Sequence, residues 1–246
     1  MNLFLPGRRV EWFESIDSTM IPAAALARQG CPHGTIVGAD EQTAGAGRQG
    51  HSWHSEKCAG LYVSIVLRLP MEARALPVVM LALGLATQEA IGQTALLAPD
   101  LRWPNDVLLG GCKCAGILAQ LEGDAIVAGI GVNVSQTRFP SGLATPATSL
   151  LLQGARVTRE DLLTALVHAV DHVCSVLIEH GAHAILRMFE ASSSYARGRR
   201  VRVEQQGGEL VGVTCGLDES GFLIVEQDGG KVEKILTGGV RAASAE

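Results

Sequence analysis

The sequence has little charge, few aromatic side chains and no long apolar run. Charged residues make up 18% and aromatic residues 4% of the 246 residues, and the formal net charge is −5. A net negative chain has no overall electrostatic attraction for nucleic acid, so we expect no nucleic-acid partner. The longest uncharged apolar stretch, residues 75–87, has 13 residues. A membrane helix needs roughly 18, so we expect no membrane partner either.

The six cysteines have neither the number nor the spacing of a secreted disulfide framework. Residues 1–7 are too short for the apolar core of a signal peptide. We therefore expect a cytoplasmic protein with free thiols. Apolar residues make up 47% of the chain, enough for an ample core. The local basic segment Arg197–Arg202 is interpreted as a solvated sheet edge, where arginines deter aggregation.

Hydrophobic periodicity predicts alternating helices and strands up to about residue 195. Helices are expected over residues 20–29, 76–93, 158–181 and 182–191, and strands over 35–40, 61–68, 101–103, 114–121 and 125–134. After Tyr195 the pattern changes to short alternating segments separated by glycine turns, one of them at residues 206–208. This spacing indicates a small β-barrel. We predict two domains, residues 1–195 and 196–246.

The run Gly45–Gly50 spells G-x-G-x-x-G. A glycine-rich turn lets backbone N–H groups approach an anion closely, and Arg48 adds a fork of donors. The dinucleotide version of this motif needs a helix after the glycines. Residues 51–60 are polar without a helical apolar stripe, and a strand follows. The pattern therefore predicts an anion-binding loop between two strands and disfavours a dinucleotide site.

Three later segments add to this loop. Arg102–Asp106 is interpreted as an exposed proline turn that ends a strand, Gly110–Gly116 places Lys113 where a loop becomes a strand, and Gly129–Asn133 is interpreted as closing a hairpin. Together with Gln42–Arg48, these segments resemble the catalytic domain of biotin protein ligases. The resemblance is sharp from about Asp17 to Asn133. The residues ahead of Asp17 leave no room for a helix-turn-helix domain, so a monofunctional ligase is expected.

The resemblance implies an α+β fold related to class II aminoacyl-tRNA synthetases, followed by an SH3-like barrel. It also implies a two-step reaction. Biotin and MgATP give biotinoyl-5′-AMP and pyrophosphate, and a lysine of a biotin carboxyl carrier protein then takes the biotinoyl group. The implied ligands are thus biotin, ATP and Mg²⁺, and the implied partner is the carrier domain. A homodimer stays open, because the sequence does not fix the oligomeric state.

The charged residues suit this chemistry. A carboxylate that attacks a triphosphate is an anion meeting an anion, so the transition state needs cationic donors. Lys113 is assigned to the biotin carboxylate and the bridging phosphate oxygen, and Arg48 to the phosphates. Asp106 is the candidate acid, either as a magnesium-linked carboxylate or as the group that receives the acceptor lysine's proton. No resident metal site is expected.

The family pattern places Ser18, Thr19 and Gln42 around the neutral ureido ring, whose donors and acceptor suit hydroxyls and an amide. Helix capping alone would also explain Ser18 and Thr19. Trp53 is expected to wall the adenine or biotin, whereas Trp103 fits a core position and a functional one equally. The full set of predicted ligand-binding residues is Ser18, Thr19, Met20, Gln42, Gly45, Ala46, Gly47, Arg48, Trp53, Trp103, Asn105, Lys113, Gly116 and Asn133.

The glycine loop departs from the family pattern. Many members carry a second arginine where this chain has Ala46, and further basic residues at Gln49 and His51. We therefore expect weaker retention of the adenylate. Two alternatives stay open: a lipoate or octanoate protein ligase or transferase, which shares the fold and the lysine, and a non-catalytic biotin-binding module. The G-x-G-R loop and the Arg102–Asp106 turn favour the biotin ligases.

Overall fold

A computed structural model describes residues 5–205 and 208–243. Residues 1–4, 206–207 and 244–246 lie outside the described part. The outer ends of the two predicted domains, part of the segment 1–7 that is too short for a signal peptide, and most of the turn expected at 206–208 therefore lie outside it as well. The domain limits stay a prediction.

A seven-stranded mixed sheet forms the larger part of the molecule. Its strands are β1 (Val10–Phe13), β2 (Thr35–Ala39), β3 (Gly60–Leu67), β4 (Asp100–Arg102), β5 (Asp106–Leu109), β6 (Cys112–Glu122) and β7 (Ala125–Asn133). Their order is β1-β2-β3-β7-β6-β5-β4, and only β1 and β2 run parallel among these neighbours. The long central strands β3, β6 and β7 are rich in Val, Ile, Leu and Gly, as a sheet covered on both faces requires.

Three helices cover the two faces of this sheet. The helices are α1 (Met20–Arg28), α2 (Leu76–Ala95) and α3 (Arg159–Ser192). The short α1 packs on one face around Val37, Val66 and Val127, whereas α2 and α3 pack together on the other. By length and composition alone, two helical segments, Ala73–Ala95 and Arg159–Ser192, could cross a membrane. Here both bury their apolar faces in the core.

The third helix begins and bends where the sequence predicts. Thr158 caps it, because its side-chain oxygen accepts a hydrogen bond from the Asp161 N–H at 3.1 Å. Gly181 interrupts the helix with φ 74°, a left-handed conformation that glycine adopts without a steric penalty. The two helices expected on either side of residue 181 are therefore two arms of one bent element.

A second, five-stranded antiparallel sheet follows. Its strands are β8 (Arg197–Gln205), β9 (Gly208–Leu217), β10 (Leu223–Gln227), β11 (Val232–Ile235) and β12 (Gly239–Ala242), in the order β11-β10-β9-β8-β12. The interpretation of Arg197–Arg202 as a sheet edge is wrong at its C-terminal end, because β12 pairs with Val201–Glu204 while β9 pairs along the other side of β8. Arg197 and Arg202 instead pair with acidic side chains.

The two sheets share one continuous apolar core. Val201, Leu223 and Ile235 of the second sheet belong to the same buried cluster as α2 and α3. Across the junction, the Trp103 indole N–H donates to the Gly221 carbonyl oxygen at 2.9 Å, and both atoms are buried from solvent. The small sheet is thus packed directly against the turn that follows β4.

Two local expectations are wrong. Gly129–Asn133 does not close a hairpin but lies inside β7, and the β6–β7 turn falls at residues 123–124. The Arg102–Asp106 turn is buried rather than exposed, since Arg102 is 5% and Trp103 2% exposed. Strands β1, β5 and β12 were not predicted, because strands of four residues carry too short an alternation to stand out.

We predict that Trp103→Phe lowers the free energy of unfolding by about 1–3 kcal/mol, because it leaves the buried Gly221 carbonyl without a donor. Urea denaturation followed by circular dichroism measures the change, and the shared core predicts one transition for both sheets. Val232→Ala, at a position that is 60% exposed, is the control and should stay within about 0.5 kcal/mol of wild type. A loss in Trp103→Phe no larger than the control's would contradict the bridging role.

Candidate functional site

A cleft of about 270 Å³ opens between the large sheet and the segments that surround it. The glycine-rich segment covers one side, the Trp103–Asp106 turn closes one end, and residues of β6 and β7 form the floor. A loop that includes Phe139 and Thr145 lies along the rim with residues of β12. Most motifs singled out in the sequence therefore meet at one cavity.

The glycine-rich segment folds as a small hairpin over this cleft. The Trp53 N–H donates to the Gly45 carbonyl at 2.7 Å, and the Gly47 N–H donates to the His51 carbonyl at 2.7 Å. A Cβ at Gly45 would lie 2.6 Å from the Trp53 carbonyl oxygen, so glycine is required for the hairpin to close. No helix follows it and β3 is the next regular element, as predicted. The hairpin directs Arg48 and Trp53 toward the cleft.

The Trp53 indole lies on the floor of the cleft, over two glycines. Gly116 and Gly131 are directly paired in β6 and β7. A Cβ at Gly131 would lie 2.5 Å from Trp53 Cε2, and one at Gly116 would lie 2.9 Å from Trp53 Cζ3. Within the described part of the chain, the buried Trp53 Nε1 has no hydrogen-bond partner. The absence of side chains at these two positions creates a trough that accepts a flat group.

Polar side chains line the far end of the trough at the start of α1. The Thr19 N–H donates to Gln42 Oε1 at 2.8 Å, and the Thr19 and Ser64 hydroxyl oxygens lie 2.8 Å apart. Gln42 also donates to Ser55 Oγ at 3.0 Å. Thr19 occupies the N-cap position but makes no side-chain capping bond, so capping does not account for its hydroxyl. The result is a neutral, hydrogen-bonding pocket.

The charged end of the cleft is organised around Asp106. Lys113 Nζ lies 2.5 Å from Asp106 Oδ1, as an ion pair rather than an aligned hydrogen bond, and Arg102 Nη2 lies 2.5 Å from Oδ2. Burial by itself raises the pKa of Asp106, but the charges of Lys113 and Arg102 outweigh it and hold that pKa below its ordinary value. Asp106 is therefore ionised at neutral pH.

Two cations face the open part of the cleft beside this carboxylate. Arg48 Nη1 makes a long contact of 3.5 Å with Asn105 Oδ1. Burial lowers the pKa of Arg48 from its usual value, while the Asp106 charge opposes the shift. Lys113 Nζ lies 5.4 Å from the centre of the Trp53 ring, a cation–π distance. Hydroxyls and an amide thus stand at one end of an apolar trough, and cations at the other.

The structure brings nearly all the predicted residues to this cleft. Thirteen ligand candidates and Asp106 line it: Ser18, Thr19, Met20, Gln42, Ala46, Gly47, Arg48, Trp53, Trp103, Asn105, Lys113, Gly116 and Asn133. Gly45 belongs to the hairpin but does not line the cleft. Asn133 donates to the Thr148 carbonyl at 3.0 Å and so also supports the rim loop. Trp103 lines the cleft while its side chain belongs to the core.

Sequence reasoning missed four contributors. Gly129 and Gly131 form the floor, where a Cβ at Gly129 would lie 2.7 Å from the Met20 sulfur. Arg102 contacts Asp106, and its guanidinium also lies 2.8 Å from the hydroxyl of Thr145 in the rim loop. Alternate glycines inside an apolar strand were the available signal for the floor. No local pattern announces the Thr145 contact, because 43 residues separate it from Arg102.

The cleft does not offer a resident metal site in the described residues, which contain no group of three or more His, Cys, Asp or Glu side chains able to hold an ion. Asp106 is its buried carboxylate, and each of its oxygens already faces a cation. These residues do not fit a magnesium ligand set, which calls for several free oxygen donors.

Comparison with known proteins identifies the family. Residues 12–136 match the biotin/lipoate A/B protein ligase family, and residues 197–240 match the biotin protein ligase C terminal domain. The chain is 30% identical over 239 residues to the bifunctional ligase/repressor BirA of Bacillus subtilis, covering 94% of this chain and 73% of the relative. It is 32% identical over 240 residues to the biotin--[acetyl-CoA-carboxylase] ligase of Mycobacterium tuberculosis, covering 95% and 88%.

A solved structure agrees over nearly the whole chain. The biotin protein ligase from Aquifex aeolicus in complex with biotin and ATP matches with a TM-score of 0.83 and 29% identity, covering 96% of this chain and 99% of that one. This likeness confirms the α+β fold, with a class II synthetase-like catalytic domain and an SH3-like C-terminal domain. The chain therefore belongs to the biotin/lipoate A/B protein ligase family and carries the C-terminal domain of biotin protein ligases.

Proposed function

We propose that this protein is an ATP-dependent ligase that activates biotin as biotinoyl-5′-AMP and transfers it to a lysine of a carrier protein. The observation that carries the proposal is the order of chemistry along one cleft. A neutral hydrogen-bonding pocket at Thr19 and Gln42 is joined by a glycine trough to the cations Arg48 and Lys113. The solved Aquifex aeolicus relative is described as a complex with biotin and ATP, which supports the same ligands here.

The substrate biotin fits this order. Its neutral ureido ring matches the hydroxyls of Ser18 and Thr19 and the amide of Gln42, which supply donors and acceptors without charge. The apolar part of the molecule lies along the trough beside Met20. Its carboxylate then points toward Lys113. Trp53 stays on the glycine floor and forms an aromatic wall against the bound molecule.

In the first step a biotin carboxylate oxygen attacks the α-phosphorus of ATP. A new bond forms between that oxygen and the phosphorus, the bond from phosphorus to the bridging oxygen breaks, and pyrophosphate leaves with the electron pair. Lys113 offsets charge at the carboxylate and bridging oxygen, and Arg48 offsets charge on the phosphates. Magnesium enters with the nucleotide as part of the substrate MgATP, since Asp106 has no free oxygen for it.

In the second step the neutral ε-amine of an acceptor lysine attacks the acyl carbon. A carbon–nitrogen bond forms, the bond from that carbon to the phosphate oxygen breaks, AMP leaves with the electron pair, and the proton lost by the amine passes to solvent. A biotin carboxyl carrier protein is the proposed acceptor, in keeping with the name of the Mycobacterium tuberculosis relative. Asp106 belongs to the proposed catalytic set. Its lowered pKa and two cationic partners make it a weak base, so we assign it to holding Lys113. The cytoplasmic location, the homodimer and the lack of a DNA-binding domain stay predictions.

The direct test is pyrophosphate release from MgATP in the presence of biotin or of lipoate. We expect release with biotin alone. Lys113→Met should lower the rate about 10²–10³-fold, because a preorganised cationic donor is lost, whereas Lys231→Met, on the exposed barrel surface, should keep the wild-type rate. Release with lipoate instead would support the lipoate ligases. Biotin binding without any release would support a binding module.

We predict that Gly131→Ala weakens biotin binding about 10–100-fold. The added Cβ would lie 2.5 Å from the Trp53 ring, and overpacking of this kind costs about 1–3 kcal/mol. Gly84→Ala is the matched control, because there the new Cβ meets its nearest neighbour at an ordinary 3.8 Å. Isothermal titration calorimetry compares the affinities. Equal affinities for the two variants would show that biotin does not use this floor.

We also predict that Ala46→Arg slows the dissociation of biotinoyl-5′-AMP. Ala46 lines the cleft, and a charge-assisted hydrogen bond to phosphate is worth about 1.5–3 kcal/mol, or about 10–100-fold in rate. Ala46→Gln adds length without charge and serves as the control. Stopped-flow displacement measures the rate, and an unchanged value in Ala46→Arg would remove the explanation based on the missing arginine.

A further inference from the structure

Arg102 is a buried arginine that the proposed chemistry does not use. Its side chain is 7% exposed. The guanidinium contacts Asp106 Oδ2 through Nε at 3.2 Å and through Nη2 at 2.5 Å, and Nη2 also donates to Thr145 Oγ1 at 2.8 Å. It lies 6.0 Å from the ring of Tyr195, at the start of the second sheet. One side chain thus joins the cleft carboxylate, the rim loop and the domain junction.

We propose that Arg102 is the positioning residue of the first step: it keeps Asp106 paired when Lys113 turns to the substrate carboxylate, and it fixes the rim loop against Lys113. This inference rests on the proposed ligase function. It assigns to Arg102 no contact with substrate, so Arg102 acts through Asp106 and through Thr145.

The backbone supports this assignment because the same loop grips Lys113 from behind. The Lys113 N–H donates to the Pro146 carbonyl at 2.7 Å, and the Thr148 N–H donates to the Lys113 carbonyl at 3.0 Å. Thr145 immediately precedes this pairing. The contacts therefore form a closed circuit that runs from Arg102 through Thr145 and Pro146 to the Lys113 backbone, and returns through Lys113 Nζ and Asp106. Arg102 holds both ends of the lysine.

The charges explain why a second cation is needed. Lys113 occupies Oδ1 of Asp106 and Arg102 occupies Oδ2. When a substrate carboxylate attracts Lys113, Asp106 would remain a buried charge without a partner unless Arg102 stayed in place, and such a charge is strongly destabilising. Among the described residues, Arg48 and the thiol of Cys114 are further titratable groups that interact with Asp106, and burial raises the pKa of the Cys114 thiol to about 12. Neither replaces the contact at Oδ2.

A lysine would not perform both tasks. The planar guanidinium presents several donors in a fixed fork, so it reaches the carboxylate and the Thr145 hydroxyl together. An ammonium group is a compact charge at the end of a flexible stem. Arg102→Lys should therefore keep the pairing with Asp106 and lose the hydrogen bond to Thr145 of the rim loop. This variant separates the two roles of Arg102 by experiment.

The experiment measures biotin-dependent pyrophosphate release as a function of pH. Arg102→Met should lower kcat about 10²-fold, as expected for a misplaced catalytic group. It should also shift the acidic limb of the pH profile to higher pH, because Asp106 loses one of the charges that lower its pKa. Arg102→Lys and Thr145→Val should each lower kcat about tenfold with the wild-type acidic limb, and the double variant should be no slower than either, because both break the same contact.

Arg159→Met is the matched control: Arg159 is a largely buried arginine paired with Asp40 at 2.8 Å, away from the cleft, and its loss should leave kcat and the pH profile unchanged. A wild-type acidic limb in Arg102→Met, or additive losses in Arg102→Lys and Thr145→Val, would overturn the inference. If Arg102→Met does not fold, the additivity of the two milder variants decides. Failure of the wild-type protein to release pyrophosphate with biotin would instead contradict the proposed function.

Discussion

The pairing of the Asp106 carboxylate with Lys113 and Arg102 is the interaction on which the rest of the site depends. The partners come from the end of β4 and the beginning of β6, and β5 between them carries Asp106 itself. A carboxylate buried this deeply is tolerated because each oxygen faces a cation. The three strands at this end of the sheet must therefore keep their register for Asp106, Lys113 and Arg102 to stay paired.

A second constraint is the lack of side chains on the cleft floor. Gly116, Gly129 and Gly131 leave room for the Trp53 indole and the Met20 thioether, which would otherwise collide with a Cβ. The cost of glycine in a strand is offset by the surrounding apolar strands, which are buried on their other face by α2 and α3. The sheet thus combines a rigid support on one face with an open trough for a ligand on the other.

The sequence predicted many residues of the site, but it did not predict the contacts that join them. The glycine run predicted an anion-binding loop from its own residues, whereas Lys113 was assigned through the resemblance to biotin protein ligases. The glycines of β7 were misread as a turn, since glycine marks a turn and a close approach alike. The sequence allowed Thr19 to be either a helix cap or a ligand-binding residue. In the structure its hydroxyl faces Ser64 and makes no capping bond.

The central claim is that Asp106 stays an ionised partner of the cations while substrate binds. Carbon-13 NMR titration of the Asp106 carboxyl carbon, assigned by comparison with Asp106→Asn, measures this in the free protein and with biotin. In the free protein the charge cluster predicts a pKa below the ordinary aspartate value of about 3.9. With biotin the pKa of Asp106 should rise because Lys113 turns to the substrate carboxylate, yet the pairing with Arg102 should keep Asp106 ionised at neutral pH. A pKa at or above the ordinary value in the free protein, or a protonated Asp106 at neutral pH with biotin bound, would contradict the claim.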